Sequence, residues 1–317
     1  ACLFLACLLN GTNAIVLDPR FKAYKAKQIL ATLNLDGWIA NKGLQQSWDL
    51  PTDKAVGVEI SASVPKKGKL MQKLLRRKSE PQTDDYSLDS YLKKSANFSF
   101  PEFSAEQIAY TLFTSGSSAL PKGVQITHNN LQAHLKTLSE QYELTAESKI
   151  LNILPVFHTD GLIQGPILSF FAGCSWLRPV EFEISEIPVL FDSIYKYRIS
   201  HFLTVPSVLS MLLQFSRGYE DSFQTEDFKH VVSSASTLEK QLWEDFEAKF
   251  ATQVANVYGL TETVAGSLFS GPKSETKKIG SLGKAVDCEI KLIDEANSEV
   301  STGQVGEICL RGEHIAQ

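Results

Sequence analysis

From Thr114 to Gly123 the chain reads Thr-Ser-Gly-Ser-Ser-Ala-Leu-Pro-Lys-Gly, residue types that suit the binding of a phosphate. Thr114, Ser115, Ser117 and Ser118 offer hydroxyls, and Gly116 leaves the backbone open, so that N–H groups can converge on one anion. Lys122 adds a point charge at the rim, placed by Pro121 and freed by Gly123. The common P-loop is excluded. It needs Gly-Lys-Ser or Gly-Lys-Thr opening a helix, whereas Gly-Val-Gln-Ile-Thr after Lys122 reads as a strand. Without the Pro-Lys-Gly, a Ser-rich hairpin turn would fit equally well. A second group is Asn256-Val257-Tyr258-Gly259-Leu260-Thr261-Glu262-Thr263. It combines a flat aromatic face, a glycine that admits close backbone approach, a hydroxyl and a carboxylate suited to a divalent cation. Alone, it also fits a strand end with a helix cap. His158, in Phe157-His158-x-x-Gly161, is the third candidate, although a lone histidine at a strand end is more often structural.

Strands must carry these groups. Ile108, Tyr110 and Leu112 alternate with Ala109, Thr111 and Phe113, predicting a buried strand into the phosphate loop. His128-Asn129-Asn130 reads as the cap of a helix running to about Tyr142. Ile150 to Leu154 reads as a strand ending at Pro155, with an apolar helix from Leu162 to Phe171. The same grammar returns at His201 to Val205 before a helix from Val208 to Phe215. It returns again at His230 to Val232, with the turn Ser233-Ser234-Ala235-Ser236 and a helix from Glu239 to Phe250. Strand, small-residue turn and helix in repetition spell a parallel α/β sheet, whose ligands bind at the carboxyl ends of the strands. Upstream, helices at Leu3 to Leu9 and Ala23 to Leu33 alternate with strands at Ala14 to Leu17 and Gly37 to Ala40. From Lys277 on, glycines punctuate short β-rich runs such as Glu289 to Ile293, the expected start of a small barrel. The fold class expected is α/β, stacked mostly parallel sheets flanked by helices. Residues 1–270 form the α/β part, and residues 271–317 open a β-rich subdomain.

The totals set bounds. A chain of 317 residues, 43% apolar with a net charge of -5, is an ordinary globular chain and not a generic nucleic-acid binder. Its five cysteines form no Cys-x-x-Cys, so neither a zinc site nor a disulfide framework is expected, and reduced, cytoplasmic thiols are the simplest reading. The apolar start, Ala1 to Leu9, lacks a basic leader and reads as a buried helix cut mid-element, which with the absent initiator Met points to a chain beginning inside a larger protein. The one strongly basic stretch, Lys66 to Lys78, reads first as a solvated amphipathic helix and second as a contact for the phosphates of a ligand or for a membrane surface.

The phrase from Tyr110 to Val124 resembles the phosphate-loop signature of the adenylate-forming superfamily: acyl-CoA synthetases, peptide-synthetase adenylation domains and luciferases. Asn256 to Thr263 resembles its Tyr-Gly-x-Thr-Glu motif, and Leu17-Asp18-Pro19 and Gly306 to Gly312 resemble lesser motifs. The resemblance implies that Thr114 to Ser118, Lys122 and Gly123 handle the pyrophosphate end of ATP. It implies that Ser234, Ala235, Ser236 and Asn256 to Gly259 lie at the adenine, that Thr261 meets the α-phosphate and that Glu262 holds Mg2+. Phe157, His158 and Gly161 would line the acyl pocket, as in acyl- and aryl-CoA synthetases. Amino-acid-activating members carry Asp at the place of His158; Asp160 is expected to face elsewhere, which favours an uncharged, fatty or other acyl chain.

The same resemblance implies activation of a small-molecule carboxylic acid to acyl-AMP with pyrophosphate release, then transfer to CoA or to the phosphopantetheine of a carrier protein. Lys122, Thr261, Glu262 and His158 are the candidate catalytic set. Two departures motivate the alternative of a nucleotide-binding protein without turnover: Ala119 and Ser234 stand where the family usually has Gly. The resemblance spans the chain but only part of the family's length. A ribose-binding Asp segment, a hinge and a C-terminal domain with a catalytic Lys would lie beyond Gln317, so these residues alone are expected to adenylate poorly.

Overall fold

A computed structural model describes residues 1–40, 42–50, 55–57, 99, 101–114 and 121–316. The basic stretch Lys66 to Lys78 lies outside them. In chain order the first elements are α1 (Cys2–Leu9), β1 (Ala14–Val16), α2 (Ala23–Ala31), β2 (Trp38–Ala40), α3 (Lys42–Trp48) and β3 (Ala55–Gly57). Next come β4 (Ile108–Thr114), β5 (Lys122–Thr127), α4 (His128–Gln141) and β6 (Lys149–Asn152). A single turn α5 (Thr159–Leu162) leads through a π-helical stretch, Ile163–Ile167, into α6 (Leu168–Ala172). There follow β7 (Ser175–Leu177), α7 (Ile187–Lys196), β8 (His201–Thr204), α8 (Pro206–Gln214), β9 (His230–Ser233), α9 (Lys240–Phe250) and β10 (Val254–Tyr258). The chain closes with β11 (Leu268–Ser270), β12 (Lys284–Ala285), β13 (Glu289–Ile293) and β14 (Glu307–Arg311).

Two compact units form. The smaller, residues 17–99 and 116–121, contains α2, α3 and the parallel pair β2 and β3. There Trp48 is buried and its indole N–H donates to the Phe21 carbonyl at 3.0 Å. The larger unit, residues 1–16, 100–115 and 122–317, holds the other strands among the described residues. Its main sheet has the order β12-β11-β10-β9-β8-β6-β7, parallel from β7 to β10 and antiparallel at β11 and β12. Alternate residues of the parallel strands serve two cores, the pattern of a sheet buried on both faces. Ile150, Leu203, Val232 and Ala255 join one with α1, α4 and the β4–β5 hairpin. Leu151, Phe202, Val231 and Val254 join the other with α7, α8 and α9. A second sheet, β1-β4-β5, pairs β1 parallel and β5 antiparallel to β4.

Three local expectations change. The cap of α4 is Thr127, not His128 to Asn130: its hydroxyl accepts the Asn130 N–H at 3.1 Å, and Asn130 Oδ1 accepts the Thr127 N–H at 3.0 Å, closing a capping box. The apolar helix opens at Thr159, three residues before Leu162, and deforms around Gly165 and Pro166, whose ring cannot extend an α-helical ladder. The expected barrel is represented by β12, which joins the main sheet, and by the two-stranded ribbon β13–β14. No helix among the described residues is long and apolar enough to cross a membrane.

Candidate functional site

The two strands that flank the predicted phosphate loop form a hairpin. Thr114 pairs with Lys122 at its mouth, so the strand-loop-strand reading holds, and Lys122 and Gly123 are exposed. Ser115, Gly116, Ser117, Ser118 and Ala119 lie outside the described residues. β5 runs beside the 3-10 turn Thr261–Thr263, and its inward Val124 and Ile126 share a core with Val257, Val264 and Ala265. Lys122, Thr261 and Glu262 therefore belong to neighbouring elements.

At the carboxyl end of β10, Asn256 and Val257 are buried, while Tyr258 is half-buried at the strand tip. Gly259 is there because nothing larger fits: a Cβ would stand 2.1 Å from the Ala265 carbonyl oxygen. Gly266 answers it, since a Cβ there would meet the Val257 side chain at 2.4 Å. Between them Thr263 Oγ1 accepts the Leu260 N–H at 3.0 Å. Val264 then takes φ 63 and ψ -60, and the Ala265 N–H reaches back to the Thr263 carbonyl at 2.7 Å. This is a γ-turn of the positive-φ kind, centred on a fully buried β-branched residue. The Glu262 carbonyl accepts the Ala316 N–H at 2.8 Å, and Asn130 Nδ2 donates to the Ile315 carbonyl at 3.2 Å, so the segment after β14 braces the turn.

At the ends of β6 and β9 the structure shows a set of contacts that the sequence reading did not name. His158 is exposed at the start of α5, its ring 4.8 Å from that of Phe157. Gly161 lets α5 press on the preceding loop, as a Cβ would lie 2.2 Å from the Pro155 carbonyl oxygen. Asp160, expected to face elsewhere, reaches the turn after β9. Its Oδ1 accepts the Ser234 hydroxyl at 2.6 Å and Gln164 Nε2 at 2.7 Å, and Gln164 Oε1 accepts the buried Tyr142 hydroxyl at 2.7 Å. Asn152 Nδ2 holds the Asp160 carbonyl at 2.7 Å. Burial raises the Asp160 pKa, against the Ser234 and Gln164 hydrogen bonds and the nearby His158, which lower it. Ala235 has φ 68, and the Ser236 N–H reaches the Ser234 carbonyl at 2.9 Å, making a second γ-turn; Ala235 and Ser236 are exposed. Asn152 and Gln164 went unread in sequence, although each is a lone polar residue inside an apolar run, Ile-Leu-Asn-Ile and Leu-Ile-Gln-Gly.

One cluster had no sequence signal. His134, Asp287 and His314 bring ligand-type atoms within 4.8 Å of one another. The Gly266 N–H donates to His134 Nε2 at 3.0 Å, which puts the imidazole proton on Nδ1, facing Asp287 Oδ2 at 3.4 Å. His134 is thus a donor to Asp287 and not a metal ligand. His314 Nε2 lies 2.8 Å from Ser267 Oγ and its Nδ1 3.4 Å from Asp287 Oδ2. Burial pushes His314 down to about 4. Burial would raise Asp287, but the His134 hydrogen bond and the two imidazoles hold it below the usual carboxylate range. The cluster anchors Gly266 and Ser267, immediately after the Val264 turn. All five cysteines are free.

Comparison with known proteins agrees with this architecture. The family described as AMP-binding enzyme matches residues 1–317. An oxalate–CoA ligase of Arabidopsis thaliana is 27% identical over 212 residues, 66% of this chain and 40% of the relative. A crotonobetaine/carnitine–CoA ligase of Salmonella typhimurium is 29% identical over 216 residues, 67% of this chain and 40% of that protein. The chain thus matches less than half the length of these relatives. The crystal structure of ATP-bound MatB from Rhodopseudomonas palustris superposes with a TM-score of 0.80 over 99% of this chain and 58% of its own, at 20% identity, a likeness of fold.

Proposed function

We propose, for a chain that belongs to the family of AMP-binding enzymes, that its protein activates a carboxylic acid with ATP and passes the acyl group to a thiol. The observation that carries this reading is the adjacency of the β4–β5 hairpin, with Lys122 at its mouth, to the Thr261–Thr263 turn beyond β10. The acid is ionised at pH 7 and needs no base. Its oxygen bonds to the α-phosphorus of ATP as the bond to the pyrophosphate oxygen breaks, giving acyl-AMP. Lys122 and the hairpin loop would offset charge gathering on the pyrophosphate, Thr261 would donate to the α-phosphate, and the ends of β9 and β10 would seat the adenine. Glu262 fits a magnesium ion: its half-buried carboxylate makes no hydrogen bond or ion pair with the described residues. Such an ion, when bound, neutralises phosphate charge.

Attack of a thiol sulfur on the acyl carbonyl then releases AMP. CoA is the acceptor favoured here, because the matched relatives are named as CoA ligases; a carrier-protein phosphopantetheine is the other acceptor. Their names also favour a short polar acid over a fatty chain, with Phe157, His158 and Gly161 lining its pocket. On this reading residues 1–270 bind nucleotide and acid, and the β13–β14 ribbon opens a β-rich subdomain.

The test is carboxylate-dependent ATP–pyrophosphate exchange by the full-length protein, across short polar, medium, long and aromatic acids. Exchange with one class is expected, falling about a hundredfold in Lys122→Ala and in Glu262→Ala. Undiminished exchange in both variants would sink the assignment of these residues. Measurable ATP binding without exchange for any acid would favour a nucleotide-binding protein without turnover.

A further inference from the structure

We propose that Asp160 is a positioning residue: through Ser234 it holds the strained γ-turn at Ala235 in the shape that meets the nucleotide. The proposal rests on the reading above only in naming the ligand of that turn. Its foundation is the direction of the hydrogen bonds. Burial pushes the Tyr142 phenol well above its ordinary pKa, so the hydroxyl is a donor and its partner on Gln164 is the carbonyl oxygen. This fixes the amide so that Gln164 Nε2 points at Asp160 Oδ1, 2.7 Å away. Ser234 approaches the same oxygen at 2.6 Å. Asn152, held in turn by the Leu154 N–H at 3.0 Å, fixes the Asp160 backbone. The carboxyl group is thereby located from two sides before Ser234 is considered, and Ser234 is the one member that belongs to the turn after β9.

That turn needs holding. A residue with a side chain at φ 68 sits in sparsely populated backbone space, and such residues persist only where their surroundings over-determine them. Ala235 is itself exposed, so burial does not hold it. What fixes the turn is at Ser234: its N–H donates to the Thr204 carbonyl at 3.1 Å, and its hydroxyl donates to Asp160. The first bond continues the strand and would survive a change of turn shape. The second selects that shape. Ser234, which in sequence stands as a departure from the family's usual glycine, is then the residue that makes the tie to Asp160.

Rescue by glycine tests this, because Gly at position 235 accepts a positive φ without help. In the full-length protein, Asp160→Ala and Ser234→Ala are each expected to raise KM for ATP about tenfold, the weight of one lost buried hydrogen bond, with little change in kcat. Adding Ala235→Gly to either variant should return KM to within about threefold of the parent. If Asp160 merely fills space, Ala235→Gly will restore nothing, and if Ser234→Ala leaves KM unchanged the tie has no role; either result overturns the proposal. Should the parent show no exchange, the same variants are compared by hydrogen exchange of the Ser236 amide. Faster exchange in Ser234→Ala and its reversal by Ala235→Gly support the tie independently of activity, and unaltered exchange refutes it.

Discussion

The γ-turns at Ala235 and at Val264 share a positive φ at their central residue and are held in opposite ways. Ala235 is exposed and its neighbour is tied by one hydroxyl to one carboxyl group. Val264 is fully buried, flanked by Gly259 and Gly266 at distances no side chain tolerates, and backed by the His134–Asp287–His314 cluster and the Ala316 amide. A turn fixed by one side-chain bond can be altered by one substitution at little cost to folding. A turn fixed by backbone packing resists change until the core itself gives way.

The largest effect expected is at Gly259. Gly259→Ala must push Ala265 away, and loss of about 3 kcal/mol of unfolding free energy is expected from urea titration, with exchange abolished. A small loss there would erase the contrast. Next is Asp287→Ala, which strands the buried Nδ1–H of His134 and should cost about 2 kcal/mol at pH 7. Because the folded-state pKa of Asp287 is depressed, its contribution is present above the ordinary carboxylate range and lost as pH falls through the folded value. The penalty of the variant should therefore shrink in acid. Asp160 has a raised pKa, so its contribution is present in acid and lost as pH rises through the folded value; the penalty of Asp160→Asn should shrink toward neutral pH instead. Opposite slopes in urea titrations across pH sharpen the comparison, and parallel slopes break it.

Three of the four histidines buried among the described residues set the background for that experiment. His201 and His314 are depressed to about 4 and His230 to about 3, chiefly by burial. Unfolding lets them bind protons from their ordinary pKa of 6.5 downward, so stability should fall as pH drops below 6.5. The smallest effects are the glycine substitutions at the turns themselves. Ala235→Gly should gain up to about 1 kcal/mol, since it removes strain and buries nothing less. Val264→Gly should lose about 1 kcal/mol, because lost packing exceeds the relieved strain. Equal signs for the two would mean that burial does not distinguish the turns.

Much of this was legible in sequence, and for a definable reason. The parallel strands β6, β8, β9 and β10 announce themselves as apolar runs closed by small residues, and Gly259 and Gly161 sit where the backbone must approach closely. The parts that stayed hidden depend on tertiary contact. Asp160 and Ser234 are 74 residues apart, and no periodicity tells which way a carboxylate at the first turn of a short helix will point. His134, Asp287 and His314 come from three separate segments and share no motif. The start of α5 was misplaced because Thr159 and Asp160 are polar, while the pattern that marks the helix is apolar.

The brace on Glu262 also fixes an order of events. Ala316 meets a carbonyl 54 residues earlier in the chain, and the segment around it is gripped by Asn130, 185 residues before Ile315. Strands β6 to β10 can pair as soon as they leave the ribosome, whereas the turn bearing Glu262 stays unbraced until the residues after β14 have been synthesised and have folded back. A nascent chain stalled just before Glu313 would hold its Thr261–Thr263 turn by local packing alone, without the Ala316 bond.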